Sequence, residues 1–125
     1  MDTPAAGSTY YLNIGGLLIG NISTGHVGWG GTALTSAKLS SCGTSPAIAT
    51  SSTDHVGTIT AGTSATSCTL TFATAYASAP SCTVTSRTGL ALTYTPSTAT
   101  LVVSNASLAS SVFDYRCDAL GTAAP

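Results

Sequence analysis

Two short runs constrain this chain more than any others: Ser67-Cys68-Thr69-Leu70-Thr71-Phe72 and Ser81-Cys82-Thr83-Val84-Thr85-Ser86. Read with a period of two, Cys68, Leu70 and Phe72 share one face, with Thr69 and Thr71 on the other. Cys82 and Val84 alternate with Thr83 and Thr85 in the same way. Such alternation marks half-buried strands. The linker between them, residues 73–80, is small and polar and ends in Pro80, which cannot donate to a central ladder. The expectation is two neighbouring strands of one β-layer, with both cysteines on the apolar face.

Composition extends this to the whole chain. Glutamate is absent and Lys, Gln and Arg are scarce, so good helix formers are nearly missing, while Thr and Val favour strands. The class is all-β. Charged residues make up only 6%, with a formal net charge of −1, which argues against a disordered chain. Lys38, Arg87 and Arg116 cannot neutralise a phosphate track, which excludes a nucleic-acid partner. Hydrophobic residues reach 43%, but many are alanine. A large side chain contributes only about 1.5–3 kcal/mol when buried, so a monomer with few of them is marginal. Disulfides, or a core shared between subunits, would compensate.

At 125 residues the chain is one domain, or one small domain plus a fragment of something longer. No apolar run approaches the ~20 residues of a membrane helix, so membrane insertion is not expected. The opening Met1-Asp2-Thr3-Pro4-Ala5 lacks the features of a signal peptide and reads as a start on a C-terminal piece.

Four segments organise the chain: a linker at 1–8, a glycine-punctuated region at 9–39, a Ser/Thr/Ala-rich head at 40–118 and a frayed tail at 119–125. In the second, apolar pieces at 11–14, 17–19 and 27–29 are separated by glycines. Turns are expected at Gly15-Gly16, Gly20, Gly25 and Gly30-Gly31. Strands this short cannot form a stable isolated sheet. They make sense as a stem in which three chains wind together, or as an ordinary hairpin packed on the head. Residues 32–41 form a transition anchored by Leu34 and Leu39. Head strands are expected at 47–50, 55–60, 68–72, 81–87, 90–94, 100–104 and 111–117, which fits an antiparallel β-sandwich or small barrel.

Four cysteines permit three pairings, and sequence alone does not choose among them. The nested arrangement, Cys42–Cys117 with Cys68–Cys82, would lock the ends of the head and staple its middle, and is the expected one. Zinc is a poor rival because no pair has structural-zinc spacing; reduced, buried thiols are the plain alternative. Disulfides would imply an extracellular or virion-surface setting.

The run Leu12-Asn13-Ile14-Gly15, continued by Ile19-Gly20-Asn21-Ile22-Ser23-Thr24-Gly25-His26-Val27-Gly28-Trp29-Gly30-Gly31-Thr32, resembles the terminal shaft repeats of bacteriophage tail fibres and related trimeric bacterial adhesins. Trp29 stands where an aliphatic residue is usual in them. The head, from Ser41-Cys42-Gly43-Thr44 to the closing Tyr115-Arg116-Cys117, is similar to a C-terminal module of tail-fibre proteins. The resemblance implies a homotrimer with a short intertwined β stem carrying three sandwich heads at a fibre tip. Its task would be receptor binding at a cell surface, through a glycan or an outer-membrane component. The location would be a virion tail-fibre tip or the bacterial cell surface. The second reading is a structural capsid-decoration or fibre-capping module with no ligand of its own.

No catalytic constellation is visible, so the chain is not read as an enzyme, and no cofactor is implied. Asp54 and His55 are neighbours, but adjacent strand residues point to opposite faces. A glycan-degrading spike would need two convergent carboxylates, drawn from Asp2, Asp54, Asp114 and Asp118. Asp114 is expected to pair with Arg116. Three copies of His26 around an axis could share a metal, but paired histidines are missing, so no metal site is assigned. Saccharides need a flat ring to stack on and polar partners beside it. The candidates are Trp29, Tyr76, Tyr94, Arg87 and His55, with Arg87 and Tyr94 flanking the Thr88-Gly89 turn. Packing at a core edge is the plain alternative for the tyrosines, and a place in the trimer interface for Trp29. Asn21-Ile22-Ser23 and Asn105-Ala106-Ser107 match glycosylation acceptors, without weight in a bacterial or phage protein.

Overall fold

The computed structural model describes residues 11–14, 18–21, 26–29 and 31–120. The chain divides into two compact units between Gly31 and Thr32. In the first, β1 (Tyr11–Ile14), β2 (Leu18–Asn21) and β3 (His26–Trp29) form an antiparallel sheet in that order. These strands pair with one another within the chain. Gly20, expected in a turn, lies inside β2 opposite Leu12 and Val27. A central strand with partners on both sides holds an isolated glycine in place. The turns expected at Gly15, Gly16 and Gly25 lie outside the described residues.

The second unit contains β4 (Leu39–Ser40), β5 (Ala47–Ile48), β6 (Val56–Thr60), β7 (Ser67–Thr71), β8 (Ser81–Ser86), β9 (Thr93–Pro96), β10 (Thr100–Ser104) and β11 (Val112–Asp118). They form two four-stranded sheets, β4-β7-β10-β9 (sheet I) and β5-β6-β11-β8 (sheet II), and every pairing is antiparallel. One turn of 3-10 helix at Ser36–Lys38 is the only helical element among the described residues.

All seven head strands expected from alternation are present, within a few residues at their ends. The largest shift is β9, expected at 90–94. It runs on through Pro96, which an edge strand tolerates because its outward side needs no N–H. The two-residue β4 was not expected. Leu34 and Leu39, the expected anchors of the transition at 32–41, are both buried in the head, and residues 32–39, grouped by sequence with the 9–39 region, fall in the second unit.

The core lies between the sheets. Leu70, Leu101 and Val103 from sheet I meet Ile59, Val84, Phe113 and Tyr115 from sheet II, and all are buried. Because every head strand is joined to the next at one end or the other, the sandwich has two ends that differ in content. At one end lie residues 49–55, 72–80 and 97–99; the Phe72 and Tyr76 N–H groups donate to the Ala99 and Thr98 carbonyls, and Asp54 ties the first two segments together. Its Oδ1 and Oδ2 accept the backbone N–H groups of Ala73 and Thr74 at 2.6 and 2.9 Å. Its carbonyl accepts the Tyr76 hydroxyl at 3.0 Å. The chain also enters the head here, where the Leu34 N–H donates to the Ser52 carbonyl at 2.8 Å, and β11 leaves here. The opposite end holds residues 41–46, 61–66, 87–92 and 105–111 and carries neither connection.

The disulfides are Cys42–Cys68 and Cys82–Cys117, with Cα separations of 4.0 and 4.1 Å. This corrects the nested pairing, Cys42–Cys117 with Cys68–Cys82. β7 and β8 are consecutive strands but not neighbours: residues 72–80 carry the chain from sheet I to sheet II. Cys82 therefore faces not Cys68 but Cys117, its direct partner in the β8–β11 register. Cys42 follows β4, which pairs with β7, and this brings it to Cys68.

Gly57 is one of three head glycines, with Gly43 and Gly62, that are set by close approach. A Cβ on Gly57 of β6 would lie 2.5 Å from both the Ser52 Cβ and the Tyr115 Oη. That hydroxyl is buried and donates to the Thr53 carbonyl, while the Ser52 Oγ accepts the Thr58 N–H at 3.1 Å. Gly57→Ala should therefore cost about 1–3 kcal/mol by overpacking. A shift of the urea midpoint to lower concentration at constant slope would show it.

Candidate functional site

Thr58, Thr83, Thr85, Asp114, Arg116 and Asp118 alternate with buried neighbours and so line the outer face of sheet II. Of the described charged residues, Arg87, Asp114, Arg116 and Asp118 belong to this face; Lys38 and Asp54 lie elsewhere. Asp114 is central, opposite Thr58 on β6 and Thr85 on β8.

Arg87, just past the end of β8, reaches back over Thr85 to grip this carboxylate. Its Nε donates to Oδ2 and its Nη2 to Oδ1, both at 3.0 Å, and Thr58 Oγ1 donates to Oδ1 at 2.6 Å. The hydrogen bonds from Arg87 hold the Asp114 carboxyl below its usual range. Partial burial opposes them, while the Thr58 hydroxyl and the guanidinium charge reinforce them. The expected Asp114–Arg116 pair is thereby corrected. Arg116 Nε lies 3.5 Å from Asp118 Oδ2, while the planar fork of Arg87 meets Asp114 in the stronger bidentate geometry.

Beside Asp114 the surface sinks into a depression of about 300 Å³ lined by Ala49, Ser51, Ser52, Val56, Gly57, Thr58 and Asp114. Val56 is one of two exposed large hydrophobic residues among those described. The lining combines apolar surface from Ala49 and Val56 with a fixed carboxylate. A carboxylate has about four acceptor positions and a guanidinium five N–H donors. The three bonds above leave acceptor capacity on Oδ2 and donors on Arg87. Such a site suits a hydroxylated ligand whose C–H surface rests on Val56.

Of the five residues picked from sequence, the four in the head fall in three places. Arg87 is on this face, bound to Asp114. Tyr94 follows the same crossing segment but belongs to β9 in sheet I, half-buried against the core, so the two do not form one tip. Tyr76 packs edge-on against Phe72, with ring centroids 5.0 Å apart, and its hydroxyl is committed to the Asp54 carbonyl. Burial, helped by the charge of Asp54, raises its pKa to about 12. His55 sits at the Asp54 end, its Nε2 3.3 Å from Asp118 Oδ1. Trp29 falls at the end of β3, and a stacking role for its side chain lies outside the described residues, as does an axial role for that of His26. Val56, Ser51 and Thr58 were missed. The outward position of Thr58 beside Ile59 was readable, but its proximity to Asp114 depends on the β6–β11 pairing.

His55 should make the head acid-sensitive. Desolvation lowers its pKa from the usual 6.5 and outweighs the opposing charge of Asp118; Arg116 lowers it further. The unfolded chain thus binds a proton more readily than the folded one, so stability is complete above the ordinary histidine range and falls as pH drops through it. The melting temperature should decline from about pH 7.5 to about pH 5, above the carboxylate range. His55→Gln should flatten that slope.

Among the described residues, no helix is long and apolar enough to cross a membrane, and no group of three or more His, Cys, Asp or Glu side chains could hold a metal ion. No family model, no curated protein and no solved structure matches the chain.

Proposed function

We propose that the chain is the receptor-binding tip of a trimeric fibre, attaching a phage or a phage-derived adhesive fibre to a cell surface, with the outer face of sheet II binding a glycan there. The observation that carries this reading is the Asp114–Arg87–Thr58 cluster, whose Asp114 and Thr58 line a depression together with the exposed Val56. In a chain with so few charges, a carboxylate fixed by three hydrogen bonds beside exposed apolar surface fits saccharide recognition. Two disulfides suit an extracellular or virion-surface setting. The short strands β1–β3 precede the head as a stem would, and three heads on one stem would raise a modest affinity through effective concentration.

The test is binding of the labelled full chain to bacterial cells and to a glycan array. Asp114→Ala should weaken binding at least tenfold, the order expected for loss of a charge-assisted hydrogen bond of about 1.5–3 kcal/mol. A wild-type chain that retains neither cells nor any glycan would end the reading. The inward packing of Tyr76 and Tyr94 favours the second reading, a decoration or capping module, which predicts that empty result.

A further inference from the structure

The edges of the two head sheets are unequal. β4 and β5 are two residues long, and β9 carries Pro96. β8 is different: six residues, Ser81–Ser86, paired with β11 in unbroken register on one side and, among the described residues, with no strand on the other. It contains no proline and no charge, the usual guards of an exposed edge.

The register shows which backbone groups face outward. Cys82 and Cys117 are opposed with their Cα atoms 4.1 Å apart, the narrow kind of antiparallel pair, whose backbone groups point away from each other. Alternation then turns Thr83 and Thr85 toward β11, and Cys82, Val84 and Ser86 away from it. The Arg87 N–H, next in the inward series, donates to the Val112 carbonyl at 3.0 Å, as this phase requires. Among the described residues, no backbone partner meets the outward N–H groups of Cys82, Val84 and Ser86.

We infer that β8 is an assembly edge, completed by β8 of a second copy running antiparallel about Val84. That register sets Val84 opposite itself and Cys82 opposite Ser86. All three outward N–H groups of each strand then meet a carbonyl, and the two copies of sheet II become one continuous sheet. On the outer face Thr83 falls opposite Thr85, a favourable cross-strand pair. Arg87 of each copy falls opposite the other's Ser81, with its guanidinium turned back to Asp114 of its own chain and so clear of the seam. An isologous contact of this kind is two-fold and self-complementary. It adds to whatever the first unit assembles, and it does not depend on the glycan reading.

The test compares wild type with the double variant T83K/T85K by sedimentation across a concentration series. Both positions are exposed on the outer face, away from the core. The antiparallel register would set the ammonium introduced at position 83 against the one introduced at position 85 of the other copy, a like-charge pair. The wild-type mass should be at least twice that of the variant at high concentration. Equal masses would overturn the inference. Hydrogen exchange on wild type gives an independent reading: the Cys82, Val84 and Ser86 amides should become protected as concentration rises, and concentration-independent exchange at all three would also overturn it.

Discussion

Replacing Cys82 and Cys117 together by alanine should lower stability by about 4 kcal/mol, the chain-entropy figure for a loop of this length. The bond closes a separation of 35 residues and ties the edge strand β8 to the central strand β11. Cys117 is fully buried, so its truncation also leaves a small void beside Tyr115. Cys42–Cys68 closes 26 residues and contributes about 3.5 kcal/mol in the same framework. Either loss is a large share of the 5–15 kcal/mol typical of a whole domain. Removal of both should leave a chain that is unfolded, or nearly so, at room temperature. Denaturant unfolding of the paired variants measures this directly. The nested pairing would instead make Cys42 and Cys117 a matched set, and the Cys82/Cys117 variant would leave two unpaired thiols. The wild-type connectivity expected here leaves Cys42–Cys68 intact in that variant, with no thiol to titrate.

Phe113→Ala should cost about 3–5 kcal/mol. Phe113 is fully buried on β11, between strands β6 and β8, facing the other sheet. The remaining core is short of large side chains that could move to fill the cavity. Val112→Ala, one residue away but half-buried on the outer face, should cost far less. The contrast tests the inward–outward assignment of the strand that also presents Asp114. Similar losses at both positions would mean that the alternation of β11 is misplaced.

The strands were legible because alternation of Thr with Leu, Val or Phe is a local signal, and each strand had to bury one face. Cys68, Leu70, Phe113 and Cys117 all face inward as their spacing implies. What stayed hidden was which strands are neighbours. The segment 73–80 is long enough for a hairpin loop within one sheet, yet it crosses between sheets, and nothing in its small residues distinguishes the two. Both errors of pairing follow from that. Cys68 was matched to Cys82 across strands that never meet, and Asp114 to Arg116 on its own strand instead of to Arg87 on the next. β4 escaped notice because two residues cannot show a period, although its Leu39 was recognisable as an anchor. The depression was invisible for the same reason: Ser51, Val56 and Asp114 are distant in sequence and meet only through the β6–β11 register.

The central claim, that a hydroxylated ligand binds at Asp114, is most directly tested by an amide NMR titration with the best-binding glycan from an array. Shifts should concentrate at Ser51, Val56, Gly57, Thr58, Arg87 and Asp114, and should be lost in Asp114→Ala. Shifts confined to residues 72–80 or 88–94, with Asp114 unmoved, would contradict it.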